Sequence, residues 1–138
     1  MTINLDKLAA EQAQAMVGKA QQGVKDAKKP VETLERLVTK ALGVLQAQGV
    51  YACMLFLYSR SGDEAKVAPL IRVQLLKALE AVPGLSGIPE DKAPEALKFF
   101  ADRVAGNSLG TLLLVRDLYE QTLIYARYHA KALSGEEK

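Results

Sequence analysis

The side chains that most often carry catalysis are few in this chain. It holds one cysteine, Cys53, and one histidine, His129. A thiol and an imidazole act as nucleophile and base only when the fold brings them within hydrogen-bond reach. Cys53 lies inside the apolar run 50–58, where burial would raise its pKa and keep the thiol inert. We therefore expect no catalytic residue, and His129 to be a boundary residue on the last helix. A small hydrolase is the third interpretation, and it would need the two residues to meet in a pocket.

Metal and phosphate sites are also not indicated by the sequence. Acidic residues occur as adjacent pairs at 63–64, 90–91 and 136–137. Neighbours on a helix point in different directions, so such pairs make poor metal ligands. The glycines are isolated, and "GKA" at 18–20 lacks the upstream glycine of a phosphate-binding loop. The expectation is a protein without metal, cofactor or enzymatic activity.

The elements that must position these residues are helices, since alanine and leucine are abundant and tryptophan is absent. Prolines, glycines and capping residues divide the chain into about six helices. The first starts from Asn4, the second starts from Pro30, and the third covers 50–60. The fourth covers 67–82 or runs from Asp63 through Pro69, the fifth starts from Pro94, and the sixth runs from Asn107 or Ser108 to about Leu133. The helix over 50–60 is apolar on every side but too short for a membrane span, which needs about 20 residues. The sequence predicts one all-α domain over 1–138, a compact bundle around this central apolar helix.

The last helix carries the clearest surface signal. Its core stripe is predicted to be Leu112, Val115, Tyr119, Thr122, Ala126 and Ala130. On the opposite side, a charged sector spans about 60° of the helical wheel and comprises Arg116, Glu120, Arg127 and Lys131. Basic residues in such a sector can hold a phosphate backbone or a protein partner. Alternatively, Arg127 and Lys131 only complement the dipole at the end of the helix.

Three apolar or aromatic residues lie on or beside that charged sector: Leu113, Ile124 and Tyr128. If the core lies where the stripe places it, all three are exposed. Apolar residues on the far face of a helix indicate contact with a second copy or another protein. The net charge of +2 neither demands nor excludes a nucleic-acid partner. The lone cysteine and the absence of a signal-peptide pattern favour a cytoplasmic protein.

Three segments carry a resemblance to a known family: "LDKLAAEQAQAMVGKA" in the first helix, "ALGVLQAQGVYACMLFLYSR" across the central glycine, and "LVRDLYEQTLIYARYHAKAL" in the last helix. Together they resemble the small subunit of the type III-B (Cmr-type) CRISPR RNA-guided effector complex, an all-helical protein of antiviral defence in prokaryotes. The related type III-A small subunit has a similar fold and remains possible.

The resemblance implies a non-catalytic subunit that stacks with further copies of itself as an inner filament, beside the other effector subunits. It also implies proximity to the guide RNA and the target RNA. The basic residues on or at the ends of the three segments are then the RNA-proximal candidates: Lys40, Arg60, Arg116, Arg127 and Lys131. The alternative is a helical protein–protein adaptor that binds no nucleic acid and uses the same outer apolar residues.

Overall fold

The computed structural model describes residues 4–135, and within them the chain forms six α-helices and no strand. In chain order they are α1 (Leu5–Gln22), α2 (Pro30–Gln48), α3 (Val50–Tyr58), α4 (Gly62–Ala78), α5 (Ala93–Phe99) and α6 (Leu109–Ser134). A 3₁₀ turn, Leu79–Ala81, extends α4, and a π-helix, Phe100–Ala105, extends α5. The predicted all-α bundle is confirmed.

Local sequence signals account for most helix starts. The Asn4 side chain accepts a hydrogen bond from the Lys7 N–H at 3.0 Å and caps α1. Ser108 caps α6 in the same way, accepting from the Thr111 N–H at 3.3 Å. Pro30 and Pro94 lie in the first turns of α2 and α5, where a missing N–H has no cost.

The fourth helix follows the longer of the two predicted courses. It begins at Gly62, after Ser61, and passes through Pro69. Proline has no N–H to donate to the carbonyl four residues earlier, so the Ala65 carbonyl receives no bond from position 69. Asp63 lies in the first turn but is not the capping residue.

The core is formed where α6 packs along α1 and α2. The α6 residues buried there are Val115, Leu118, Tyr119, Thr122, Leu123, Ala126 and Ala130. The α1 residues that are fully buried include Ala9, Ala13 and Ala20, and small side chains permit close approach of helices. Deep in this core, the Tyr119 hydroxyl donates to the Leu75 carbonyl at 2.7 Å.

The apolar helix α3 packs against α2, α4, α5 and the π-helix, and among its residues only Tyr51 and Leu55 are exposed. Val50, Cys53, Met54 and Leu57 are buried, whereas Leu55 is 46% exposed. Nine residues of helix point side chains in every direction, and no element covers the outer face of α3 within residues 4–135. The helix also ends at Tyr58 rather than at residue 60.

The π-helix after α5 changes the register of the side chains. Phe99 and Phe100 are both buried, and their rings meet edge to face with centroids 6.2 Å apart. The wide turn closes with a hydrogen bond from the Gly106 N–H to the Ala101 carbonyl at 3.1 Å. A Cβ atom at position 106 would lie 2.6 Å from the Asp102 carbonyl oxygen, so only glycine fits there without a shift of the backbone.

An ion pair attaches the long loop 82–92 to the bundle. Asp91 accepts two hydrogen bonds from Arg72, at 2.8 and 3.2 Å, and one from the Tyr58 hydroxyl at 2.7 Å. The Arg72 guanidinium also lies over the Tyr58 ring, 4.5 Å from its centroid. Burial, and secondly the bond to Asp91, raise the pKa of Tyr58. The hydroxyl therefore stays protonated and keeps donating to Asp91.

Candidate nucleic-acid interface

Three basic side chains converge on one carboxylate at the corner formed by α2, α3 and α4. Glu64 is 2.7 Å from the Lys40 Nζ, 3.4 Å from the Arg60 Nη1 and 3.6 Å from the Arg36 Nε. We call Arg36, Lys40, Arg60 and Glu64 the Glu64 cluster. The Glu64 side chain is 13% exposed, while Arg36 and Lys40 are each 49% exposed. Three positive charges around one negative charge leave the cluster cationic toward solvent.

Helix geometry explains why these residues meet. Arg36 and Lys40 are four residues apart on α2 and so lie on one face. Glu64 lies in the first turn of α4, where the helix dipole favours a negative charge. The hydrogen bond from Lys40 is the main reason that the pKa of Glu64 lies below its usual 4.5, with partial burial opposing it and Arg60 adding to it. The carboxylate therefore stays charged and holds its partners in place.

Arg60 is the most firmly placed member of the cluster. Its guanidinium stacks over the Phe56 ring at 3.7 Å from the centroid, and its Nε donates to the Phe56 carbonyl at 3.0 Å. An arginine held in this way loses little further side-chain entropy when it binds a phosphate.

The five predicted RNA-proximal residues differ in their contacts and fall into three groups. Lys40 and Arg60 belong to the Glu64 cluster. Arg116 instead donates to the Gln46 carbonyl at 3.0 Å. Arg127 and Lys131 are exposed and form no ion pair with any residue of 4–135. Within the same residues, no hydrogen bond or ion pair links these last two to the Glu64 cluster.

Two members of the predicted charged sector, Arg116 and Glu120, contact the end of α2. Glu120, one turn along, accepts from the Gln46 Nε2 at 3.1 Å, and both Arg116 and Glu120 are only partly exposed. These two residues fasten the end of α2 to α6. The sequence could not show this, because Gln46 lies 70 residues before Arg116.

The predicted protein-interface residues also differ in their surroundings. Leu113 is 46% exposed and Tyr128 is 66% exposed. Ile124 is only half exposed, because it packs against the core and borders a small groove beside Leu5. Leu109, which the sequence reasoning missed, is 69% exposed and lies one turn before Leu113 on the same face of α6.

An open groove of about 480 Å³ lies between α1 and α6. Its lining residues are Asp6, Ala10, Ala13, Gln14, Tyr125, Tyr128 and His129. The Tyr125 hydroxyl donates to the Asp6 carboxylate, and this bond is the main reason that the pKa of Tyr125 is raised. His129 lines this groove and is partly exposed, so it is a boundary residue of α6.

Cys53 is not brought to His129. It is fully buried, its Sγ lies 3.6 Å from the Ala41 carbonyl oxygen, and burial raises the pKa of its thiol to about 12. It does not line the groove that holds His129. Among residues 4–135, no group of three or more histidine, cysteine, aspartate or glutamate side chains could hold a metal ion.

Comparisons of the chain with protein families, with curated proteins and with solved structures give no match. In the part of the chain that the structure describes, no helix has the length and apolar character required to cross a membrane. Inferences about function therefore rest on the resemblance and on the geometry of these surfaces.

Proposed function

We propose that this chain is a non-catalytic small subunit of a type III CRISPR RNA-guided effector complex of the type III-B class. In this proposal it works in the prokaryotic cytoplasm in antiviral defence, and it helps to hold target RNA against the guide RNA. Its partners are other effector subunits, further copies of itself and the two RNAs, with no membrane and no cofactor involved.

The observation that carries the proposal is the Glu64 cluster. Sequence-independent RNA binding depends on cations that face solvent and neutralise phosphates. Arg36 and Lys40 meet this condition, because about half of each side chain remains exposed and the cluster carries more positive than negative charge. One such cluster gives weak binding, and stacked copies would repeat it along a strand and add avidity.

The exposed leucines of α6 support the stacking part of the proposal. Leu109 and Leu113 form an uncovered apolar pair at the start of the helix. A contact between this pair and a different surface of the next copy would be heterologous, and heterologous contacts that do not close build open filaments.

The decisive test of the proposal is to purify the tagged protein gently from its native cells and to sequence the RNA that accompanies it. We expect short RNAs of nearly uniform length that share one constant 5′ segment, together with the other effector subunits. A preparation without enriched RNA would contradict the proposal.

A binding series tests the Glu64 cluster directly. The double variant Arg36→Gln/Lys40→Gln should bind single-stranded RNA more weakly and lower the slope of log affinity against log salt by about 1 or more. The matched control is Lys25→Gln/Lys28→Gln, which removes the same charge from two exposed lysines outside the cluster. Equal losses in both variants would show that only net charge matters.

A second series tests the predicted cations of α6. Charge reversal at Arg127 and Lys131 should reduce RNA retention while circular dichroism stays unchanged, because both side chains are exposed. The single variant Lys131→Glu can be compared with Lys77→Glu on α4, which makes the same charge change at another exposed lysine. Unchanged affinity in the α6 variants would remove these residues from the interface.

The adaptor remains the second candidate, and the exposed pair Leu109 and Leu113 is the observation that favours it. The two functions differ in their response to salt. Binding through phosphates weakens steeply as salt rises, whereas an apolar protein interface does not weaken. A partner retained in high salt and lost on Leu113→Asp would favour the adaptor.

A further inference from the structure

The groove between α1 and α6 is edged by an aromatic ring that the fold leaves uncovered. Tyr128 is 66% exposed, although its neighbour one turn back, Tyr125, is half-buried and bonded to Asp6. Uncovered aromatic rings can stack bases, and many proteins that bind single-stranded nucleic acids combine such rings with a positively charged surface.

Two basic residues of α6, Arg127 and Lys131, lie beside this ring. Lys131 is three residues after Tyr128 and four after Arg127, so its side chain is a neighbour of both on the helix surface. Neither Arg127 nor Lys131 has an ion-pair partner among the described residues. An exposed ring can stack on the base of a nucleotide, and exposed cations can bind its phosphate.

The polar groups inside the groove differ from those at its edge. Asp6, Gln14 and His129 line it, and its floor is formed by Ala10 and Ala13. The Asp6 carboxylate would repel a phosphate but can accept a hydrogen bond from the amino group of a base. The charges therefore favour a base in the groove and phosphates outside it. Its volume of about 480 Å³ lies within the range of small-molecule sites, about 300–1,000 Å³.

We propose that Tyr128 stacks an unpaired base of single-stranded RNA at the mouth of this groove, with Arg127 and Lys131 on the adjoining phosphates. This inference rests on the proposed RNA-binding function and adds a base contact to it. It concerns a surface separate from the Glu64 cluster, so the two can fail independently.

The absence of tryptophan from the chain permits a direct spectroscopic test. Tyr128→Trp places a single tryptophan at the groove mouth, and Tyr51→Trp places one at another exposed tyrosine, on α3. Each variant is titrated at low salt with a short single-stranded RNA and with an abasic oligomer that has the same number of phosphates. Binding is followed in parallel through a label on the strand.

We expect RNA to quench the emission of Tyr128→Trp and to leave Tyr51→Trp unchanged, while the abasic oligomer binds without quenching either. RNA binding that leaves the emission of Tyr128→Trp unchanged would overturn base stacking and leave the proposed function standing. If no RNA binds at low salt and high protein concentration, both proposals fail.

Affinity measurements on ring variants give an independent readout. Tyr128→Leu should bind RNA about tenfold more weakly, since loss of one stacked base is worth about that much, whereas Tyr128→Phe keeps the ring and should bind as the wild type does. Tyr128 is mostly exposed, so neither change should disturb the core. Equal affinities for the leucine and phenylalanine variants would contradict the inference.

Discussion

Replacing Glu64 by glutamine separates the structural role of the Glu64 cluster from its proposed binding role. Glutamine keeps the size of the side chain and removes its charge, so Arg36, Lys40 and Arg60 lose their common counter-ion. Partly exposed ion pairs contribute about 0.2–1 kcal/mol each, and the charge at the start of α4 adds about 0.3–1 kcal/mol. Because Arg36 and Lys40 are about half exposed and glutamine still accepts hydrogen bonds, we expect a loss of about 1–2 kcal/mol.

This loss should depend on pH with a definite sign. The pKa of Glu64 is lower in the folded chain than its usual 4.5, so the unfolded chain binds a proton at Glu64 more readily. The stabilisation by the carboxylate is therefore complete above 4.5 and disappears as the pH falls through the lower folded-state pKa. Wild type and variant should differ most at neutral pH and converge in acid.

Urea unfolding at neutral and acidic pH measures the loss of stability and its dependence on pH. Thermal unfolding at neutral pH should show a fall in Tm of about 4 °C per kcal/mol of stability lost. Glu95→Gln is the matched control, since Glu95 lies in the first turn of α5 and has no ion-pair partner among residues 4–135. An equal loss in the control, or a loss in Glu64→Gln that persists in acid, would refute the reasoning.

The same variant should bind RNA more tightly although it is less stable. Removing the one carboxylate makes the cluster more cationic, and the affinity should depend more steeply on salt. Opposite changes in stability and affinity cannot arise from partial unfolding. Weaker RNA binding by Glu64→Gln at equal folded fraction would count against the cluster as a phosphate site.

Three further substitutions and one labelling reaction test the fold. Gly106→Ala should lower the free energy of unfolding in urea by about 1–3 kcal/mol through overpacking, since its Cβ would lie 2.6 Å from a carbonyl oxygen. Gly43→Ala has open space around it and should instead stabilise α2 by about 0.5–1 kcal/mol. Asp91→Asn should weaken the bonds that attach loop 82–92, and limited proteolysis in that loop should speed up while the core stays protected. The Cys53 thiol, buried and with its pKa raised to about 12, should react with thiol reagents only after unfolding, and rapid reaction of the native protein would contradict its placement.

Much of the helical layout could be predicted because its signals are local. The cap at Asn4, the first-turn prolines Pro30 and Pro94, and Gly49 at φ 98° each act within a few residues of their position. The π-helix was not predicted, because it depends on the packing of Phe99 and Phe100 and on the tight turn at Gly106. The sequence also left undecided whether α4 continues through Pro69, because packing against neighbouring helices decides whether a proline is tolerated inside a helix.

The candidate sites show where sequence reasoning ends. Exposure of Leu113 and Tyr128 followed from the 3.6-residue period of α6, but Ile124 is partly covered because α1 lies beside it. Arg36 was missed altogether, and no local signal distinguishes it from the other basic residues of the chain. Its importance appears only beside Glu64.

By itself, then, the sequence determined the all-α class, most helix boundaries and the apolar setting of Cys53, since each depends on composition, periodicity or a neighbour within one turn. Tertiary structure alone decided which charges from different helices meet. Lys40 and Glu64 are 24 residues apart, and their contact exists only because α2 and α4 pack side by side. Packing between distant segments is selected by the shape of the whole core, and a single helix carries no record of it.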